Sequence, residues 1–110
     1  MKTKLFISIF TLLLISSFTF AGSTMKEGKF KVFGNCGMCK DRIEESISIK
    51  EVSSVAWNKK TKILSVKYDA SAITLDSLQQ RVASVGHDTE KYKASDEAYN
   101  ELQGCCLYRK

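Results

Sequence analysis

Hydrophobic and polar residues alternate in three short stretches of the chain. In Lys29–Phe33 two apolar residues alternate with lysines, and Gly34 follows, which predicts a strand ending in a turn. Residues 55–57 and 64–68 show the same alternation on either side of a polar stretch, residues 58–62. The last two stretches therefore predict a β-hairpin.

Between and after these stretches the apolar spacing becomes helical. Cys39, Ile43 and Ile47 recur every four residues, which predicts an amphipathic helix. A second helix is predicted to begin after Thr74, a favourable N-cap residue, and to close at Gly86. Its apolar face comprises Leu75, Leu78, Val82 and Val85.

A weaker alternation over His87–Tyr92 predicts a fourth strand. The order β-α-β-β-α-β is that of the α+β ferredoxin-like fold, a four-stranded antiparallel sheet with both helices on one face. Residues 93–110 form a C-terminal extension, with Asp96 as the predicted cap of a short helix and with tyrosines suited to docking it by burial. The predicted inward-facing set is Phe30, Val32, Ile43, Ile47, Val55, Trp57, Leu64, Val66, Leu78, Val82 and Val85.

The first 21 residues have a different character. Two lysines near the start precede an apolar run over Leu5–Phe20, and Thr19-Phe20-Ala21 ends it with a small residue where a signal peptidase cuts. We interpret residues 1–21 as a secretory signal peptide, since the run is shorter than the about 20 residues of a membrane span. A retained anchor and a buried N-terminal helix are the alternatives. Residues 22–92 then form one exported domain, periplasmic or secreted, without stable membrane insertion after cleavage.

Length limits the size of the domain, and the distribution of charge limits the classes of partner it can bind. Removing residues 1–21 from the 110 leaves 89, enough for one small domain, and removing Lys2 and Lys4 lowers the net charge from +5 to +3. Positive and negative residues are interspersed rather than concentrated on one stretch. We therefore expect no nucleic-acid partner.

The four cysteines fall into two tight pairs, Cys36 with Cys39 and Cys105 with Cys106. A C-x-x-C pair in an exported protein fits a disulfide, a redox centre or a metal clamp. Cys36 and Cys39 stand where the first helix begins, and unpaired backbone N–H groups there favour thiolates. Thiolates are the ligands that soft ions such as Cu(I) prefer, whereas structural zinc usually takes four ligands.

At this point the sequence resembles the heavy-metal-associated domain family, which includes copper chaperones, modules of copper-pumping ATPases and periplasmic mercury-binding proteins. The resemblance covers about residues 29–92. It rests on the element order and on four motifs: Cys36-Gly37-Met38-Cys39, Arg42-Ile43-Glu44, Val66-Lys67-Tyr68-Asp69 and Val85-Gly86-His87-Asp88.

The resemblance implies that Cys36 and Cys39 bind a soft ion, Cu(I) first, with Hg(II) and Zn(II) as alternatives. It also implies exchange of that ion with a partner such as a membrane metal transporter. No catalysis and a monomer are expected, with a metal-linked or disulfide-linked dimer as the alternative. The chain departs from the family at Phe33-Gly34-Asn35, where Gly-Met-Thr is usual, and at His87, where an aromatic residue is frequent.

Further ligands are candidates beside these two. His87 is either a third ligand or a residue at the edge of the core. Cys105 and Cys106 offer a second pair of soft-metal ligands, a folded-back tail that completes the first site, or a disulfide partner for Cys36 or Cys39. Met38 is expected to pack on the core rather than to ligate.

A function from another class stays open. The same pair suits a thiol-disulfide oxidoreductase with Cys36 as nucleophile and Cys39 as resolver. The absence of proline weakens a thioredoxin-like version, since that fold places a cis-proline opposite its motif. A metal-sensing or adaptor module is a third class.

Overall fold

The computed structural model describes residues 24–110. The predicted signal peptide, residues 1–21, lies outside the described residues, so it and the export that follows from it stay predictions. Among the helices of residues 24–110, none combines the length and the apolar character needed to cross a membrane.

Strands and helices follow the predicted order through the second helix. The strands are β1 (Met25–Lys31), β2 (Val52–Trp57) and β3 (Ile63–Asp69), and the helices are α1 (Gly37–Ser46), α2 (Leu75–Ser84) and α3 (Asp96–Asn100). A single turn of 3₁₀-helix, Gly104–Cys106, follows α3. The described part of the chain is thus an α+β domain with a short helical extension.

The sheet is antiparallel, with β3 at its centre and the strand order β1-β3-β2. Leu64 of β3 pairs with Phe30 on one side and with Trp57 on the other. Because paired residues point to the same face, these three side chains lie together on the inner face. The loop from β1 to α1 therefore begins next to a fully buried part of the sheet.

The predicted fourth strand is not formed, and the sheet of residues 24–110 has three strands rather than four. Val32 and Thr89 make one isolated bridge, and the Phe33 N–H donates to the Asp88 carbonyl at 2.9 Å. The chain then turns: the Thr89 N–H donates to the Tyr92 carbonyl at 2.7 Å, and the Tyr92 N–H donates to Thr89 Oγ1 at 2.9 Å. This turn uses locally the backbone groups that a longer strand would pair.

The core lies between the inner face of the sheet and the two main helices, as predicted. Val55 and Val85, from the predicted inward set, are only half-buried. The extension also contributes to this core, which confirms the predicted burial of Tyr99 and Leu102, whereas Tyr108 is half-buried. The buried cluster consists of Phe30, Val32, Cys39, Ile43, Ile47, Trp57, Leu64, Val66, Tyr68, Leu78, Val82, Tyr99, Leu102 and Cys106.

Helix ends position the extension. The Thr74 hydroxyl accepts the Ser77 N–H at 3.0 Å, which confirms the predicted N-cap of α2. The cap of α3 is Ser95, whose Oγ accepts the Ala98 N–H at 3.0 Å, and not the predicted Asp96. Gly86 has φ +108°, and a Cβ there would lie 2.8 Å from the Ala98 carbonyl oxygen. Glycine is thus what lets the extension approach the end of α2.

Candidate metal centre

The spacing of Cys36 and Cys39 coincides with two capping positions of α1. Cys36 is the N-cap residue and Cys39 is the third helical residue. The Cys39 sulfur accepts the N–H groups of Cys36 at 3.3 Å and of Asn35 at 3.2 Å, as a glutamate does in a capping box. The two Sγ atoms lie 3.5 Å apart. Two intervening residues therefore bring both sulfurs to one point at the helix start.

An aromatic ring and a lysine support this loop where the family usually has a methionine. A Cβ on Gly34 would lie 3.0 Å from the Cys39 Cβ and 3.2 Å from the Trp57 ring. The Trp57 indole N–H donates to the Val32 carbonyl at 3.0 Å, and the Lys62 ammonium donates to the Gly34 carbonyl at 2.5 Å. The indole thus occupies the space beside Gly34, and the loop is held without the methionine.

The extension folds back and brings the second cysteine pair onto the first. Cys36 and Cys105 form a disulfide with Cα atoms 6.2 Å apart, while Cys39 and Cys106 are free thiols. The Sγ atoms of Cys36 and Cys106 lie 3.6 Å apart. The ligand atoms of Cys36, Cys39 and Cys106 all lie within 4.8 Å of one another. Of the alternatives for the second pair, the structure contains both the folded-back tail and a disulfide to Cys36.

The extension is anchored by Tyr108, one of the tyrosines predicted to dock it, and by Arg109, for which no role was predicted. The Asp88 N–H donates to the Tyr108 hydroxyl, which donates to the Gly86 carbonyl, both at 2.7 Å. Arg109 donates to both Asp88 carboxylate oxygens, at 2.8 and 3.3 Å, and stacks over the Tyr99 ring at 4.3 Å. The loop after α2 is therefore the dock for the tail.

Burial and charge pairing shift the ionisation of the groups around this dock. Burial raises the pKa of the Cys106 thiol to about 12, with a smaller contribution in the same direction from Cys39. Burial alone would raise the pKa of Asp88, but hydrogen bonds from Arg109 and from the Ala94 N–H outweigh it and hold that pKa below its usual value. Cys106 thus stays a thiol at neutral pH until an electrophile such as a metal ion displaces its proton.

His87 lies beside this cluster without being part of it. The side chain is fully buried, stacks on Tyr108 with ring centroids 5.4 Å apart, and donates from Nδ1 to the Phe33 carbonyl at 2.8 Å. Its Nε2 is buried and has no hydrogen-bond partner among residues 24–110. Among residues 24–110, the ligand atoms that lie close together are the sulfurs of three cysteines. His87 instead supports the loop through Phe33 and the tail through Tyr108.

Stability is expected to fall in mild acid because of His87. Burial disfavours its charged form and lowers its pKa, and the Phe33 carbonyl opposes this in part. Because the folded-state pKa is the lower one, the unfolded chain binds the proton first, and stability is lost as pH falls through about 6.5. The slope is limited to about 1.4 kcal/mol per pH unit.

Urea unfolding of the reduced chain at pH 7.5, 6.5 and 5.5 measures this slope. His87→Phe keeps an aromatic ring against Tyr108 but has nothing to titrate, so its stability should vary less over the same range. Equal slopes for the two proteins would show that His87 is not the group responsible.

Met38 is placed differently from its prediction. It is 46% exposed rather than packed on the core. Its Sδ atom lies 3.7 Å from the Cys105 sulfur, which is also at the surface. A thioether therefore stands at the outer edge of the cysteine cluster.

Comparison with known proteins finds a family model and solved structures that are similar to part of this chain. The family model described as heavy-metal-associated domain matches residues 29–88. Among solved structures, one titled CopZ metallochaperone has a TM-score of 0.56 and 27% identity, covering 58% of this chain and 98% of its own. A putative copper-ion-binding protein from Bacillus anthracis has a TM-score of 0.58 and 25% identity, covering 63% of this chain and 100% of its own.

A third structure, oxidised MerP from Ralstonia metallidurans, is similar in fold. It has a TM-score of 0.56 and 20% identity, covering 60% of this chain and 94% of its own. No protein with a curated description matches this sequence. The matches reach residue 88 in the family model, so the docked extension with Cys105 and Cys106 lies beyond it.

Proposed function

Because this chain belongs to the heavy-metal-associated domain family, we propose that it is an exported protein that captures a soft metal ion and passes it on by thiolate exchange. Cys36 and Cys39 hold the ion, and Cys106 from the docked tail is the third ligand. No bond in a substrate is made or broken. The ion is the cargo of the protein.

The observation that carries this proposal is the convergence of three sulfurs, two at the start of α1 and one from the extension 70 residues further along the chain. Two sulfurs bound to one ion at about 2.3 Å lie about 3.8–4.0 Å apart for tetrahedral or trigonal angles. The Cys36 sulfur lies 3.5 Å from Cys39 and 3.6 Å from Cys106. Small adjustments therefore suffice for three sulfurs to surround one ion in the reduced protein.

The donor set favours Cu(I) as cargo. Thiolates select soft ions, and Cu(I) is satisfied by two or three of them, whereas structural zinc usually takes four ligands. A relative titled as a putative copper-ion-binding protein, at 25% identity, supports the same ion, and one titled as a metallochaperone, at 27% identity, supports metal transfer. Hg(II), which two thiolates also satisfy, is the second candidate, and Zn(II) is the third.

Exposure around the cluster supports transfer rather than storage. Cys36 is half-buried and Cys105 is exposed, so a partner's thiols can approach from that side while Cys39 and Cys106 stay buried. The partner is a metal donor or acceptor such as a membrane metal transporter. The apolar run before Ala21 supports a periplasmic or secreted location.

A Cu(I) titration of the reduced chain tests the proposal. In competition with a chromogenic Cu(I) chelator, Cys36→Ser and Cys39→Ser should each lower the affinity by at least about 100-fold, since even residues that only orient ligands cost roughly 10–100-fold. Ser54→Ala, on an exposed part of β2, serves as the matched control. Unchanged affinity in the double variant Cys36→Ser/Cys39→Ser would refute the site.

One observation favours a second function, thiol-disulfide exchange. The Cys36–Cys105 disulfide has a free thiol, Cys39, whose sulfur is 3.5 Å from that of Cys36. Attack by Cys39 on Cys36 would release Cys105 as a thiolate, with no net oxidation. An insulin-reduction assay and a measured reduction potential distinguish this activity from metal binding. Inactivity in the assay would remove it.

A further inference from the structure

Five sulfur-containing residues lie close together, and their exposure increases from the interior of the domain to its surface. Cys39 and Cys106 are buried, at 0% and 1% exposure. Cys36 is half-buried, and Cys105 and Met38 are exposed. The proposed ligands Cys36, Cys39 and Cys106 are the inner three of these residues, so Cys105 and Met38 have no role in the inner cluster.

The two exposed sulfurs nevertheless meet each other and the inner cluster. Cys105 Sγ lies 3.7 Å from Met38 Sδ, across 67 residues of sequence, and is joined to Cys36 Sγ in the disulfide. The 3.7 Å separation matches the about 3.8–4.0 Å expected for two sulfurs on one ion. Met38 is 46% exposed, so an ion can approach its thioether from solvent.

We propose that the reduced chain holds a second soft ion at an outer position, between Cys105 Sγ and Met38 Sδ, with Cys36 Sγ shared between this ion and the inner one. This inference rests on the proposed function, because Cys36 is a ligand in both. Thiolate sulfur has several lone pairs and bridges soft ions. An ion entering from a partner therefore reaches the exposed pair first, and the buried pair through Cys36.

The outer pair of ligands should favour Cu(I) over Zn(II) more strongly than the inner, all-thiolate ligands do. A thioether is neutral and soft, so it contributes to binding of Cu(I) and little to binding of Zn(II). The buried set consists of thiolates alone. We therefore expect the outer position to fill with Cu(I) and to stay empty in a titration with Zn(II).

The experiment is a titration of the full chain, reduced and kept anaerobic, against a chromogenic Cu(I) chelator. The wild-type chain should hold two equivalents of Cu(I) and one of Zn(II). Met38→Leu and Cys105→Ser should each lose the second Cu(I) and keep the first. Met25→Leu, an exposed methionine at the opposite end of β1, should keep both.

A second readout does not depend on affinity. The methyl resonance of Met38 should stay in place during the first equivalent of Cu(I) and shift during the second. A wild-type chain that holds one equivalent, or Met38→Leu and Cys105→Ser variants that both keep two, would overturn the outer position and leave the proposed function standing. A chain that holds none would overturn the proposed function itself.

Discussion

Oxidation of the chain to its Cys36–Cys105 disulfide is expected to lower the affinity for Cu(I) by at least about 100-fold, or about 2.7 kcal/mol. The reason is that the Cys36 sulfur lies between the other two proposed ligands, 3.5 Å from the Cys39 sulfur and 3.6 Å from the Cys106 sulfur. A disulfide sulfur carries no thiolate charge and is a poor ligand. The oxidised chain then keeps a pair of buried thiols that a partner cannot reach directly.

Oxidised glutathione produces this form with a balanced reaction, since the Cys36 and Cys105 thiols become a disulfide and two molecules of reduced glutathione are released. Peptide mapping identifies the bond, and a thiol count in denaturant should give two. Cu(I) competition is then measured before and after dithiol reduction, which should restore the affinity and so excludes damage to the chain. Undiminished affinity in protein with the mapped Cys36–Cys105 bond would contradict the expectation.

The main elements of the fold were predictable because their signals are local. The four-residue spacing of apolar positions predicted α1. The ends of α2 were predicted by the Thr74 hydroxyl, which accepts a backbone N–H, and by Gly86, which has the positive φ that glycine adopts readily. The prediction of a fourth strand was wrong, and the reason is also local. Thr89 closes a turn with Tyr92, and alternation of residue types does not show which backbone groups are already used in a turn.

Of the candidate metal site, the sequence predicted the two cysteines at the start of α1 but not how the third one reaches them. Cys36 and Cys39 occupy fixed positions at the start of one helix, so their proximity follows from spacing. Cys106 lies 70 residues after Cys36, and the ion pair of Arg109 with Asp88 is one of the contacts that dock the segment carrying it. A single arginine near the C-terminus carries no signal for such a pairing. The sequence therefore left the role of the second pair open among several alternatives.

Leu102→Ala is expected to lower the free energy of unfolding by about 2–5 kcal/mol, the usual cost of removing a buried leucine side chain. Leu102 is 6% exposed, belongs to the core cluster and packs where a side chain on Gly86 would lie. Leu107→Ala is the matched control in the same tail. Leu107 is 43% exposed, so its truncation should change stability by less than about 0.5 kcal/mol.

Urea unfolding followed by Trp57 fluorescence measures the difference, in reducing buffer so that the Cys36–Cys105 bond does not hold the tail. Because Leu102 and Cys106 belong to one docked segment, loosening that segment removes the third ligand as well. The Cu(I) affinity of Leu102→Ala should therefore fall toward that of Cys106→Ser, while Leu107→Ala stays near the wild type. Equal effects of the two leucine substitutions would mean that the tail is not held by burial, and that Cys106 reaches the cluster for another reason.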